Sequence, residues 1–181
     1  MKFLAIIAFA LGITFSANAQ VYKKAAVQAT GLTCAMCSNA TLKSLETLPF
    51  VDKIDTDLEN TTFILYFKPG ATVNIDAIKD KVEDAGFSVG KLTITASFDG
   101  TEVKNDTHVP FAGGTLHFMD VKNQVLKGDK ELVVIDKDFI SPKQFKKYQQ
   151  ETSMACYKTG MMADCCHTDK TASSRVYHVT I

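Results

Sequence analysis

The sequence lacks tryptophan, contains only four prolines and carries no net formal charge over its 181 residues. Proteins that bind nucleic acids use an excess of lysine and arginine against the phosphates, so a neutral chain argues against such a partner. No Ser/His/Asp triad spacing and no phosphate-binding glycine loop is recognisable, so neither kind of catalytic site is supported. Hydrophobic residues make up 46% and charged residues 22% of the chain, which is typical of folded domains and excludes general disorder.

The first nineteen residues have the pattern of an export signal. Lys2 supplies a positive start, residues 3–15 are almost entirely apolar, and an Ala-Asn-Ala motif ending at Ala19 precedes Gln20. The apolar run is shorter than the roughly 20 residues that a membrane-spanning helix needs, and no later segment is longer. The sequence therefore predicts a signal peptide over 1–19, cleavage near Ala19/Gln20, and a periplasmic or secreted protein without stable membrane insertion after signal removal.

Hydrophobic periodicity over residues 20–97 predicts the element order β-α-β-β-α-β. A strand that includes residues 25–29 precedes a helix over 37–48, and a hairpin follows. Asn74 is a suitable cap for a second helix, and residues 89–98 form a further strand. This order predicts a ferredoxin-like domain, and the expected fold class is α+β.

Residues 98–181 show several short strand patterns separated by turns, and they predict a second, β-rich domain with one helix. Turns are expected at Asp99-Gly100 and at residues 127–129, between short strands. Ser141 begins the helix with a capping box, and the chain ends in a strand over 175–181. A small barrel or sandwich, for which the OB fold is one candidate, is the expected architecture.

Five cysteines lie after the predicted signal, in two groups separated by more than a hundred residues. The first group contains Cys34 and Cys37, and the second contains Cys156, Cys165 and Cys166. In an oxidising compartment thiols pair, bind metal or are actively kept reduced. Because five is odd, at least one sulfur lies outside any intramolecular disulfide.

The motif Gly-Leu-Thr-Cys-Ala-Met-Cys, residues 31–37, lies between a predicted strand and a predicted helix. Two residues between Cys34 and Cys37 let both sulfurs face one ion, and thiolates select soft ions such as Cu(I). Cys37 falls in the first helical turn, where free backbone N–H groups favour a thiolate. The same spacing also suits a structural disulfide or a redox-active pair, and spacing alone does not separate these alternatives.

The motif and its setting resemble the heavy-metal-associated domain, whose signature is G-M-T-C-x-x-C on a ferredoxin-like β-α-β-β-α-β fold. The resemblance covers residues 21–97 and includes the loop, the element order and the stretch Asp84–Phe87. Leu replaces the signature methionine at position 32 and is expected to pack beneath the loop. The resemblance implies that Cys34 and Cys37 hold a soft metal ion, which passes by ligand exchange between this protein and a metal-donor or metal-acceptor protein.

Copper is the first choice of metal, because the abundance of methionine and cysteine suits Cu(I). Hg(II) is the second, since exported single-domain mercury scavengers resemble the N-terminal half, and Zn(II) is a further alternative. The expected role is buffering, scavenging or handover of metal rather than catalysis. The enzymatic alternative is a periplasmic thiol–disulfide oxidoreductase in which Cys34 attacks and Cys37 resolves, although that class usually has tryptophan before its cysteines. A third alternative is an interaction module whose cysteines are incidental.

A second cluster of metal-binding side chains lies near the C-terminus. Two interpretations remain open: a second metal site formed by the cysteines and His167 with methionine support, or a disulfide from Cys156 to Cys165 or Cys166. His108, His117 and His178 are expected to be structural histidines with hydrogen bonds. The seven members of the cluster are Met154, Cys156, Met161, Met162, Cys165, Cys166 and His167.

Overall fold

A computed structural model describes residues 20–162 and 174–181. The predicted signal peptide lies outside the described residues, as do Cys165, Cys166 and His167. Within the described ranges the chain has eight strands and four helices, and the α+β class is confirmed. In chain order they are β1 (Val21–Thr30), α1 (Ala35–Leu45), β2 (Val51–Asp57), β3 (Thr62–Phe67), α2 (Ile75–Asp84), β4 (Ser88–Val103), β5 (Thr107–Phe111), β6 (Gly114–Phe118), β7 (Gln124–Val134), α3 (Pro142–Glu151), α4 (Cys156–Thr159) and β8 (Val176–Thr180).

The strands of the described chain form one sheet in the order β2-β3-β1-β4-β7-β8-β6-β5. The first six elements keep the predicted β-α-β-β-α-β order and form one end of this sheet. Neighbouring strands pair antiparallel, except for β6 and β8, which pair in parallel. The sheet is therefore mixed, and the last strand in the chain, β8, lies between β7 and β6.

The long strand β4 joins the two halves of the chain, because it pairs with β1 on one side and with β7 on the other. The turn predicted at Asp99-Gly100 is wrong. Gly100 has a φ of +71° and lies at a register shift between Asp99 and Thr101, so it forms a β-bulge and the strand continues. The turn predicted over residues 127–129 is also wrong, since Gly128 pairs with Phe98 inside β7.

The expected OB-like barrel is not confirmed. In the part of the chain that the structure describes, the strands after residue 98 extend the ferredoxin-like sheet instead of closing on themselves, and β2 and β5 lie at its edges. The physical reason is that residues 92–97 of β4 pair with β1 at one edge and with β7 at the other, so the later strands add to the existing sheet.

Two hydrophobic clusters cover the two faces of the sheet. Leu45 of α1 and Ile78 of α2 belong to the larger cluster, and Tyr157 of α4 belongs to the smaller one. Along β7, Val133 packs against the smaller cluster, whereas Val134 lies in the larger one. Because successive side chains of a strand point to opposite faces, α1 and α2 lie on one face, and α4 lies on the other.

The helix caps agree with the sequence except at α1. Asn74 caps α2 by accepting a hydrogen bond from the Ala77 N–H at 3.1 Å. Ser141 caps α3 in the predicted capping box. Helix α1 begins at Ala35, two residues earlier than predicted. None of the helices in residues 20–162 and 174–181 has the length and apolar character that a membrane span requires.

Candidate metal centres

The first candidate centre is the loop between β1 and α1. Gly31 has a φ of +87°, a conformation that glycine adopts readily, and it turns the chain out of β1 toward the helix. Leu32 is partly buried against the main core, so the predicted packing beneath the loop is confirmed. These two residues hold the following cysteines at the end of a rigid strand.

Cys34 is the N-cap of α1, and its sulfur accepts a hydrogen bond from the Cys37 N–H at 3.3 Å. The buried Thr41 hydroxyl donates to the Cys37 carbonyl at 3.2 Å, one turn further along the helix. Cys34 and Cys37 are joined by a disulfide, with their Cα atoms 5.3 Å apart. The loop therefore brings both sulfurs together at a helix N-terminus, where N–H groups stabilise sulfur-centred negative charge.

The loop lies on the surface. Cys34 is exposed, Cys37 is half-buried, and the Met36 side chain between them is 83% exposed. An exposed pair of sulfurs is accessible to the thiols of another protein. An exposed apolar side chain beside it is a suitable contact for that protein's surface.

A second candidate centre lies on the face of the sheet covered by α4. His108 of β5 is directly opposite His117 of β6, and His117 is directly opposite His178 of β8. Directly opposed residues share a face, and their ring centroids are 4.3 Å and 5.0 Å apart. His117 and His178 are 0% exposed and His108 is half-buried. The three imidazoles therefore form a row across three adjacent strands, largely in the protein interior.

Cys156, the first residue of α4, packs on this row of histidines and is 0% exposed. Its Sγ lies 3.4 Å from His108 Nε2 and 3.9 Å from His117 Nδ1. One ligand atom from each of these three residues lies within 4.8 Å of the other two. The second group of cysteines thus meets the histidines through Cys156.

The His117 and His178 rings each form a hydrogen bond with an aspartate carboxylate. Asp106 Oδ1 lies 2.9 Å from His117 Nε2, and Asp136 Oδ1 lies 2.6 Å from His178 Nδ1. A carboxylate only accepts hydrogen bonds, so each ring donates its proton there and keeps a lone pair on its other nitrogen. Within the described residues, His178 Nε2 is buried and has no hydrogen-bond partner.

The protein environment favours the neutral forms of His117 and His108 by lowering the pKa of each. Burial lowers the pKa of His117, and the neighbouring His178 and His108 rings lower it further, against the opposing effect of Asp106. Burial is also the main cause that lowers the pKa of His108. Neutral imidazoles with free lone pairs are the form in which histidine binds metal ions.

The sequence predicted the first centre and missed the second. It placed Cys34 and Cys37 together and expected the C-terminal histidines to be hydrogen-bonded, as His117 and His178 are. It did not place them with Cys156, because neither β5 nor α4 was predicted. The available signal was the strand periodicity around His117 and His178.

Comparison with known proteins identifies the family of the N-terminal part. Residues 26–88 match the model of the heavy-metal-associated domain, and this part of the chain belongs to that metal-binding family. No curated protein matches the chain.

Solved structures resemble the same part of the chain. A copper-binding domain from HMA7, a P-type ATPase, is 37% identical over 36% of this chain and 86% of its own, with a TM-score of 0.33. The yeast copper transporter domain Ccc2a is 29% identical over 36% of this chain and 88% of its own, also at 0.33. CopP from Helicobacter pylori is 30% identical over 36% of this chain and 97% of its own, at 0.32.

Proposed function

We propose that this protein is an exported carrier that holds Cu(I) between Cys34 and Cys37 and exchanges it with a donor or acceptor protein. The observation that carries the proposal is the juxtaposition of two cysteine sulfurs on a surface loop of a heavy-metal-associated domain. Two thiolates suit a soft monovalent ion, and Cu(I) is the ion of this kind that the methionine-rich and cysteine-rich chain favours. The periplasm or the extracellular space is the proposed location.

Exposure of the loop supports handover rather than permanent storage. A thiolate of a partner protein is able to approach an ion held by the exposed Cys34 and the half-buried Cys37. Each new sulfur–metal bond then replaces one that breaks, so the ion is never released into water. The apolar Met36 side chain beside the sulfurs provides contact area for the partner.

The disulfide sets a condition on this function. A disulfide has no thiolate to offer, so Cys34 and Cys37 bind an ion only after reduction. A dithiol reductant breaks the sulfur–sulfur bond by thiol–disulfide exchange, is itself oxidised to a disulfide, and leaves two thiols, which lose protons when metal binds. The oxidised and metal-loaded forms are therefore mutually exclusive.

Anaerobic titration of the reduced mature chain with Cu(I), against a chelator of known affinity, tests the proposal. We expect the tight-binding stoichiometry to fall by one equivalent in the Cys34→Ser/Cys37→Ser variant and to stay unchanged in the matched Cys165→Ser/Cys166→Ser control. A stoichiometry that does not fall in the first variant would contradict the proposed site. Tighter binding of Hg(II) than of Cu(I) relative to small-thiol competitors would keep the site and identify the protein as a mercury scavenger.

The disulfide also favours a second candidate function, thiol–disulfide exchange. Cys34 is exposed at a helix N-terminus and is bonded to a nearby resolving Cys37, as in oxidoreductases that use this spacing. Turnover of insulin disulfides by the metal-free protein, together with the reduction potential of the pair, separates the two functions. Strong turnover that requires Cys34 would favour the enzyme over the carrier.

A further inference from the structure

We propose that His108, His117 and Cys156 form a second metal site, with His178 as an additional nitrogen donor, for an ion of the zinc and copper class. The site is separate in sequence from the surface cysteine loop and lies beneath α4. It also differs from the cluster expected from the sequence, because its nitrogen ligands come from strands and not from the segment around His167.

The donor distances fit one ion. Zinc bonds of about 2.0–2.3 Å in a tetrahedral arrangement place neighbouring ligand atoms roughly 3.3–3.8 Å apart. The observed distances from Cys156 Sγ are 3.4 Å to His108 Nε2 and 3.9 Å to His117 Nδ1. Small side-chain movements are therefore enough to place all three atoms around an ion.

The surrounding hydrogen bonds have the arrangement found behind metal-binding histidines. Such rings usually donate their second N–H to a carboxylate, which fixes the ring and increases the basicity of the ligating nitrogen. Asp106 receives the proton of His117 and also accepts a hydrogen bond from the Thr152 hydroxyl at 2.7 Å. Asp136 binds both the ring and the backbone N–H of His178.

His178 gives an independent indication of a missing ligand. Its Nε2 is buried without a hydrogen-bond partner in the described part of the chain. A buried polar atom without a hydrogen-bond partner loses its contacts with water and gains none in return, so such atoms in a folded protein call for an explanation. The His178 ring packs beside His117 but lies outside the three-residue group, so coordination would satisfy its Nε2 lone pair only after a movement of the ring toward the ion.

The donor set selects the ion. Imidazole nitrogens suit zinc and copper, and a thiolate excludes the hard ions magnesium and calcium. A cleft of about 490 Å³, lined by Asp106 and Met119 among others, reaches the carboxylate behind His117. In contrast to the surface loop, the burial of Cys156 and His117 favours retention of the ion.

Co(II) titration of the full mature chain in the Cys34→Ser/Cys37→Ser background tests this site. Co(II) occupies zinc sites, and a thiolate ligand gives it a charge-transfer band in the near ultraviolet. We expect one equivalent with that band, displaced by Zn(II). His108→Gln and Cys156→Ser should each weaken Co(II) binding at least about 10-fold. His178→Gln should weaken it less than Cys156→Ser does. A parallel Cu(I) titration identifies the preferred ion.

The matched control is Cys165→Ser/Cys166→Ser, which should keep both the stoichiometry and the band. Circular dichroism verifies folding, and the half-buried His108 gives a usable variant if Cys156→Ser does not fold. Absence of the thiolate band would overturn the site, as would loss of binding in the Cys165/Cys166 control. A disulfide from Cys156 to either of those cysteines in the purified protein, found by peptide mapping, would also overturn it.

Discussion

The cysteines of the described chain differ sharply in exposure, and this difference distinguishes the two proposed metal sites. Cys34 is exposed at the end of a helix, whereas Cys156 is 0% exposed beneath one. Ligand exchange needs a sulfur that an incoming thiolate can reach. A buried ligand set instead holds its ion until the surrounding structure opens.

The rates of cysteine alkylation in the reduced, metal-free protein should follow the exposure of the cysteines. Iodoacetamide is expected to modify Cys34 at least ten times faster than Cys156, because burial denies the reagent access to the latter sulfur. Peptide mass spectrometry over a time course measures both rates. In denaturant the two rates should converge, and equal rates in the native protein would contradict the burial of Cys156.

At the scale of secondary structure, the helix caps were predictable because they depend on local sequence. Asn74→Ala should destabilise the protein by about 1 kcal/mol, since the Ala77 N–H loses its acceptor. Asn74→Asp is the matched control and should retain most of the stability, because aspartate also caps helices. Chemical denaturation measures both, and equal losses would show that the cap contributes little.

The strand containing Gly100 was not predictable, because a turn and a β-bulge use the same residue. Several turn types and the G1 bulge both place glycine at positive φ, and here φ is +71°. Whether the chain reverses or continues depends on a partner strand distant in sequence. Periodicity therefore identified the strands on both sides of Asp99-Gly100 but not their continuity.

Gly100→Ala should destabilise the protein by about 1–2 kcal/mol, because an L-residue is disfavoured at positive φ. Gly114→Ala is a suitable control, since a Cβ at Gly114 comes no closer than 3.8 Å to its nearest neighbour outside the adjacent residues and Gly114 does not have positive φ. The two variants are compared by urea denaturation. Equal stability of Gly100→Ala and the wild type would contradict the bulge.

At the scale of the whole molecule, a polar contact links the ferredoxin-like part to the C-terminal strand. Arg175 donates to both carboxylate oxygens of Asp76, at 2.9 and 3.0 Å, and the Tyr177 hydroxyl donates to the same carboxylate at 3.0 Å. Partial burial alone would raise the pKa of Asp76, but Arg175 and Tyr177 hold it below its ordinary value of 3.8. The link therefore stabilises the fold when Asp76 is ionised.

Asp76→Asn should lower the free energy of unfolding by about 1 kcal/mol at neutral pH, a modest value because the carboxylate is partly exposed. The contribution of a group with a lowered folded pKa is complete above its unfolded pKa and disappears as the pH falls through the folded pKa. The difference from the wild type should thus shrink below about pH 4. Urea denaturation at several pH values measures the difference in the free energy of unfolding between Asp76→Asn and the wild type. Asp80→Asn, on the same helix, is the exposed control. A difference that does not change with pH would contradict the ion pair.

The candidate sites, like the helix caps and the β-bulge, differ in whether they depend on local sequence or on distant strand pairing. The proposed Cys34–Cys37 site depends on four consecutive residues and a local helix start, so the sequence alone is sufficient to predict it. The proposed second site brings His117 beside His178, about sixty residues later in the chain, through a parallel strand pair, and beside Cys156 through a short helix. Such long-range register is not encoded in any local pattern.

X-ray absorption spectroscopy of the protein loaded with one equivalent of Cu(I) tests the central claim most directly. If Cys34 and Cys37 hold the ion, its nearest neighbours in the wild type are sulfur atoms alone. The Cys34→Ser/Cys37→Ser variant then loses this sulfur-only environment. Imidazole nitrogens around the first equivalent in the wild type, unchanged in the variant, would contradict the claim and place the ion at His108, His117 and Cys156 instead.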